Sequence, residues 1–508
     1  MLTRHFDVAV LGGSLGGAQA ARAACECGLH VYLCEATDWL GGQMTSQAVP
    51  PDEHRWINIQ GATASYMAYR HSIREHFLQD PAAAEAMRAQ GDFIPGNAWV
   101  SRLAHDPRVS ERYFRASLAP FVEQGLLTIA YSTRLLSAQV QGDRVLSVLT
   151  ANEKGEQECI AASFFLDATD TGELLPLTGT EYRIGAESRE ETGEPNAPEK
   201  GDREYQQPIT WVGALRLCSE RPEMKKPESY DYFASLSVRG LPLFSWEAYG
   251  AGGVTRFGMF DGDVAPGSLG MWSYRRIQYP PFFTDKRSEI SLLNWQQNDY
   301  MFGNVIDDPH SAHHLEMARE QTKCCAYWLW SQGYPVALDG EMLGTSDGLA
   351  KAPYIRESRR IIAKRTILEQ EIAKKWNPVP RVRRDSVGVG HYSLDVHLTT
   401  RTRTTFYEEA QPFEIPLSAM IPVRMLNLLP AGKNIGTTHL TGGCFRLHPV
   451  EWTVGEAAGY LAAFCVHHAL LPRDVLDKPL EDFQSLLISR GFQLHWDFPE
   501  EKDPLQEG

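Results

Sequence analysis

The sequence lacks any run of about 18 consecutive apolar residues, the length a helix needs to cross a bilayer, so no membrane span is expected. It also lacks a basic excess. Its 49 lysines and arginines stand against 64 aspartates and glutamates, a formal net charge of −15, and a surface of that sign repels phosphate backbones and anionic lipid. Nucleic acid is therefore not expected as a partner. Cysteine is scarce: nine in 508 residues, with no C-x-x-C pair and no cysteine–histidine spacing suited to a metal. No metal site is expected, and small buried thiols of a reducing cytoplasm are favoured over a disulfide frame. There is no internal repeat and no low-complexity tract, and the apolar run opening at Phe6 leaves no room for a secretory leader before it. With 43% hydrophobic residues over this length, the chain can bury a large core and is expected to form two domains.

Glycine, in contrast, is placed in telling positions. FDVAVLGG, from Phe6, reads as a buried strand. GGSLGG follows at Gly12 to Gly17, then the small-residue helix AQAARAACECG, then a second strand, HVYLCE, ending on Glu35. Strand, glycine turn, helix, strand and acid in this order form a dinucleotide-binding βαβ unit. Gly12 permits the tight turn, Gly17 lets helix and sheet approach, and the free N–H groups of the helix N-terminus face a pyrophosphate. Glu35 is placed to accept hydrogen bonds from a ribose. The second fingerprint position is Ser14 rather than glycine. The pair Gly41–Gly42, just past Glu35, offers a second close approach of backbone to ligand.

Residues 60 to 125 read as helical and loop-rich, with an alanine-rich amphipathic stretch near Pro81 to Gln90, and with Trp99 and Arg102 either in a site wall or in a helical cover over the sheet. From Leu126 three runs alternate as strands with polar turns between them, the last ending in Asp167-Ala168-Thr169-Asp170-Thr171-Gly172. Between 180 and 345 the aromatics crowd: Trp211, Trp246, Trp272, Trp295, Trp328 and Trp330 are six of the 12 tryptophans. They either wall a substrate pocket suited to sugar or flat rings or build the core of a second domain. In PYIRESRRI, Arg356 and Arg359 stand beside an apolar run; one inward arginine could fix a carboxylate or sugar hydroxyls. DSVGVGHYSLDVHLTT, from Asp385, places His391, Ser393, Asp395 and His397 on one face if extended. Two imidazoles and a carboxylate on one face suit proton handling. MLNLLPAGKNIG then reads as a buried strand ending at Gly432, and a helix starts near Pro449, with His448 beside its N-terminus.

The set GGSLGG…E…LGGQ, DATDTGEL, YIRESRRI, DSVGVGHYSLDVH and NLLPAGKNIG…HPVEWTVGEAAG resembles the bacterial FAD-dependent oxidoreductases related to fumarate reductase and glutathione reductase flavoproteins. The likeness runs over nearly the whole chain. It implies an α/β, Rossmann-type FAD-binding domain of glutathione-reductase kind, split into 1–180 and 413–475. An inserted α+β substrate or cap domain would span 181–412, and a C-terminal helix and tail 476–508. It implies FAD held by Gly12, Gly13, Ser14, Gly16, Gly17, Glu35, Ala36, Gly41, Gly42, Gln43, Leu135, Ala168, Thr169, Asp170, Gly432, Asn434 and Val450. The usual acid after Gly432 is replaced by Lys433-Asn434, so Asn434 or backbone must make the ribityl contact. The expected reaction takes hydride from a C–OH or C–NH bond of a small, sugar-like or cyclic substrate. His397 or His391 takes the proton, Asp395 orients the histidine, and Arg356 or Arg359 positions the substrate. His448 joins the helix N-terminus at the flavin. Reduction of an activated C=C bond, or electron transfer as a flavin subunit of a complex, are the alternatives. The electron acceptor (oxygen, a quinone or a protein) and a homo-oligomeric state stay open.

Overall fold

The computed structural model describes residues 3–250 and 252–497. β1 (Thr3–Leu11) runs into α1 (Leu15–Glu26), and β2 (Val31–Cys34) returns parallel to β1 with Val8 opposite Val31. β3 (Leu127–Ala130) extends that edge in parallel. On the other side of β1 lies β6 (Gln157–Asp167), also parallel, followed outward by β5 (Arg144–Asn152) and β4 (Thr133–Gln141), both antiparallel to their neighbours. The sheet order is β3-β2-β1-β6-β5-β4. β6 has two partners on its far side. Its first half pairs with β5, and its last turns to the short parallel strand Leu428–Pro430, with Leu428 opposite Phe165. The C-terminal end of β6, where Ala168 and Thr169 follow, is thereby flanked by two parallel strands. Val8, Val10, Val31, Leu33 and Leu166 are fully buried, as continuous apolar strands covered on both faces require.

The helix His448–His468 packs on α1. The approach is close enough that a Cβ on Gly455 would lie 2.1 Å from the Gly16 carbonyl oxygen. Side chains would hold these helices apart, so the small residues of both decide their spacing.

A second core lies around a four-stranded antiparallel sheet, ordered Arg276–Gln278, Ile290–Leu293, Gly213–Leu217, Val336–Leu338, backed by the helix Ser311–Ser331. Trp211, Trp272, Trp295 and Trp328 are buried in it, with Trp246 and Trp330 packed at its margin. A smaller sheet joins Asp299–Tyr300, Ile209–Thr210 and Tyr354–Ile355. Its strands are only two residues long, but they carry most of the chemistry described below. No described helix is long and apolar enough to cross a membrane.

Two sequence expectations need correction here. The run 385–400 is not one extended strand: it breaks between Ser386–Gly390 and Leu394–Val396, so the parity that placed His391 with His397 does not hold. The alanine-rich stretch near residues 81–90 keeps only the single turn Glu85–Arg88. The helix and turn of the 476–508 segment are present through residue 497, with helix Leu480–Ser489; the rest of that tail lies outside the described residues.

Candidate active site

The turn after β1 is shaped by contact with two other segments. Gly12 has φ of +98°, and a Cβ there would sit 2.5 Å from the Ala168 carbonyl oxygen. Ala168 N donates to Leu11 O at 2.8 Å and Ala431 N donates to Asp167 O at 2.8 Å, which ties the three glycine-bearing corners together. Ser14 is the N-cap of α1, its Oγ accepting from Gly17 N at 3.2 Å. The serine that departs from the glycine fingerprint thus satisfies one free N–H of the helix.

Glu35 accepts from Gly13 N at 2.9 Å and from Thr37 N and Oγ1 at 2.8 and 2.9 Å. Burial pushes its carboxyl up to about 7 despite those hydrogen bonds. Thr133 N donates to Glu35 O, which brings the strand containing Leu135 to the same corner, while Ala36 is exposed next to it.

On the far side of the cradle, Asp170 accepts from Lys433 Nζ and from Gln47 Nε2, both at 2.7 Å. Asn434 Nδ2 donates to Asp167 O at 2.9 Å. Gln43 Nε2 donates to Glu451 in the first turn of the helix His448–His468, and to Arg446 O at 3.3 Å. Asp52 N donates to His448 Nδ1 at 3.0 Å, and burial brings that imidazole down to about 4, so it is neutral at pH 7. Val450 is buried behind it.

Four buried polar atoms along these segments, Gln43 Oε1, Gln47 Oε1, Asn434 Oδ1 and His448 Nε2, have no hydrogen-bond partner among the described residues. Buried polar atoms are nearly always paired. Their concentration on the glycine-bearing corners, with the helix N-termini, fits a large polar cofactor such as FAD.

Next to this cradle is a chamber of about 230 Å³. Arg446 connects the two: its carbonyl accepts from Gln43, and its guanidinium donates to Tyr354 OH at 2.5 Å and to Asp395 Oδ2 at 3.2 Å. His397 lines the chamber between two carboxylates, with Nδ1 3.0 Å from Asp299 Oδ2 and Nε2 3.5 Å from Asp395 Oδ2. Asp299 is buried and also accepts from Arg356 Nη2 at 2.8 Å and from Thr210 Oγ1. Burial alone would raise Asp299; Arg356 and His397 outweigh it and hold the carboxyl at about 2. In the same way His397 and Arg446 overcome burial and keep Asp395 well below the ordinary range. Arg275 forms a two-pronged pair with Asp52 at 2.9 and 3.0 Å.

Residues 7–487 match the model of the family described as FAD dependent oxidoreductase. The chain belongs to that family. No curated protein matches it. Among solved structures, it is similar to the myxobacterial chondrochloren halogenase CndH, at 12% identity over 99% of this chain and 88% of that one, with a TM-score of 0.33. It is also similar to a geranylgeranyl bacteriochlorophyll reductase-like protein of Thermoplasma acidophilum, at 11% identity over 97% and 86%, with a TM-score of 0.34. The protein is an FAD-dependent oxidoreductase with a Rossmann-type α/β fold.

The oxidoreductase brings together His397, Asp395 and Arg356 of the residues singled out in the sequence. It does not bring in His391, which packs on the Trp56 ring at 4.7 Å, away from the chamber, with its imidazole lowered to about 4 by burial. Arg359 points elsewhere too, donating to Asp307 and to Thr171 O. Trp99 donates to Gly270 O and Arg102 is exposed; neither lines the chamber. Of the six tryptophans, Trp295 lines it and the others serve the second core. The expected orienting residue, Asp395, flanks Nε2, whereas Asp299 holds Nδ1. Asp299, Asp52, Arg275, Arg446 and Tyr354 went unread in the sequence, and Tyr392, which alternation places on the apolar face away from Asp395 and His397, lines the chamber with them. Arg446 alone had a local signal, two residues before His448.

Proposed function

We propose that this oxidoreductase oxidises a C–OH group of a small, uncharged, sugar-like or cyclic substrate. The observation that carries the reading is the pairing of charge around His397. Arg275, Arg356 and Arg446 are each already engaged by Asp52, Asp299 and Asp395. Each guanidinium charge is thus already offset by a carboxylate, which weighs against reduction of an unsaturated acid, although the Nε of all three has no hydrogen-bond partner among the described residues. The chamber volume of about 230 Å³, below the roughly 300–1,000 Å³ of sites for drug-sized ligands, favours a compact molecule.

FAD, when bound, would supply the acceptor for the hydride, which carries both electrons. Gly12, Ser14, Gly17 and Glu35 would hold its pyrophosphate and ribose, and Gln43, Gln47, Lys433, Asn434 and the N-terminus of His448–His468 its remaining polar edges. The chain's own part is the proton. In its neutral form, with the Nδ1 proton donated to Asp299, the imidazole of His397 would present the Nε2 lone pair to the chamber. The gap between Nε2 and Asp395 is too long for a strong hydrogen bond and leaves a place for a substrate hydroxyl oxygen beside both. Nε2 takes the hydroxyl proton as the C=O forms. The resulting imidazolium lies between two carboxylates that Arg356 and Arg446 keep ionised, so its charge is stabilised where it arises.

The test is anaerobic addition of neutral polyols, simple alcohols, amines and carboxylic acids to the FAD-loaded enzyme, followed by flavin absorbance. Bleaching by a neutral hydroxyl donor is expected, with His397→Ala slower by about 10²–10⁴-fold per bound FAD. Bleaching by amines alone, or re-oxidation of chemically reduced enzyme by an unsaturated acid, overturns it.

A further inference from the structure

The segment that follows the strand Ile290–Leu293 lines part of the chamber. Asn294, Trp295 and Gln297 belong to it and all line the chamber. Asn294 Nδ2 and Trp295 Nε1 are donors without a partner among the described residues, and Gln297 Oε1 is an acceptor without one. The three side chains are at least nine-tenths buried. Gln297 Nε2 donates to Ser245 O and Glu247 O, which fixes that side-chain amide, and the backbone N of Trp295 donates to Asn298 Oδ1. Trp272 Nε1 is also unpaired but does not line the chamber. The Nε atoms of Arg275, Arg356 and Arg446 in the chamber are unpaired as well, but the trio is uncharged, offers two donors and one acceptor, and comes from the single short segment 294–297.

We infer that Asn294, Trp295 and Gln297 form a specificity subsite that holds hydroxyl groups of the substrate remote from the one oxidised. The inference rests on the reading of the chamber as the place of C–OH oxidation. A hydroxyl both accepts and donates, so vicinal hydroxyls satisfy two donors and an acceptor together. A carboxylate only accepts, and would leave Gln297 Oε1 facing an anion. An apolar ring would leave all three buried atoms unpaired, which is unfavourable. The subsite therefore selects a polyhydroxylated neutral ring or chain over a simple alcohol. Its residues touch the substrate without taking part in proton transfer, so they act on affinity and selectivity more than on the chemical step.

The experiment is calorimetric titration of FAD-loaded enzyme with myo-inositol and D-glucose, with monodeoxy analogues of each, and with cyclohexanol and succinate. Wild type, Trp295→Phe, Asn294→Ala and His397→Ala are compared, and melting temperatures confirm that each is folded. Trp295→Phe keeps an aromatic ring but removes the N–H together with part of the indole. Each subsite variant should bind the polyol about 3–10-fold more weakly, the worth of one neutral hydrogen bond. It should also lose discrimination against one monodeoxy analogue, while His397→Ala, which loses only the contact to the oxidised hydroxyl, keeps discrimination among analogues deoxygenated elsewhere. Should the polyol bind through these residues yet leave the flavin oxidised in wild type, the subsite stands and the oxidation reading falls. Equal polyol affinity in wild type and a folded Trp295→Phe overturns the subsite. So does a wild type that prefers succinate or cyclohexanol, or that binds no neutral polyol at all.

Discussion

Replacing Asp299 by Asn removes one negative charge and little volume from beneath His397. The carboxylate oxygen lies 3.0 Å from Nδ1, which puts the charge centres about 4 Å apart once the imidazolium has formed. At an effective dielectric near 20 that attraction is worth about 4 kcal/mol. Arg356 draws on the same carboxylate, and the His397 side chain is 30% exposed, so about half of it should reach the transition state. Roughly 2–3 kcal/mol corresponds to a rate about 30- to 150-fold lower. Removing the charge also strands Arg356, whose side chain is 3% exposed, and loss of one partner of a buried pair costs about 3–5 kcal/mol of stability. The measurement is rapid-mixing anaerobic reduction by the donor that bleaches wild type, normalised to bound FAD, with thermal unfolding run in parallel. Flavin reduction within threefold of wild type in a folded Asp299→Asn enzyme would refute the assignment of Asp299 as the residue that positions His397.

Three other outcomes are expected. Gly16→Val places a Cβ 1.9 Å from the Ala431 carbonyl oxygen, so the purified variant should carry little or no FAD, read as the ratio of 450 nm absorbance (roughly, the flavin band) to protein. Glu35, raised to about 7 by burial, must be ionised to accept ribose hydroxyls. Below pH 7 the unliganded protein gains stability from its protonated form, and FAD must compete with that proton. Affinity should thus fall about tenfold for each pH unit lowered beneath 7, and Glu35→Gln should flatten the profile in equilibrium titrations. Trp272→Ala, in the second core at 2% exposure, should cost about 3–5 kcal/mol in denaturant unfolding, whereas Trp295→Phe, which keeps an aromatic ring, should cost less.

The cofactor cradle was legible because its information is local. A glycine turn, a small-residue helix and two β-branched strands fall within the first 35 residues, and periodicity identifies each of them. The chamber was not. Arg356 and His397 meet Asp299 from 57 and 98 residues away, on strands two or three residues long, too short for any period to show. His391 misled for a related reason. Alternation predicts a shared face only while the strand continues, and at residues 391–393 it does not. The tryptophan run signalled a second core, and only its place in the chamber lining separates Trp295 from the other five. The acid missing after Gly432 left Lys433, which pairs with Asp170 across the sheet, a contact no linear spacing encodes.

The packing of α1 on the helix His448–His468 sets an order of events during synthesis. Arg22 and Glu456, which form an ion pair across that contact, are 434 residues apart. A ribosome adding about 5–20 residues per second would need roughly 20–90 s between them. Throughout that interval the glycine turn has been made, but the carbonyl of Ala431 and the helix that cover it have not. An emerging chain should therefore present an apolar α1 face without its lid, and be unable to retain FAD, until most of its length is translated. Chaperone dependence early in synthesis and late cofactor uptake follow from that one helix contact.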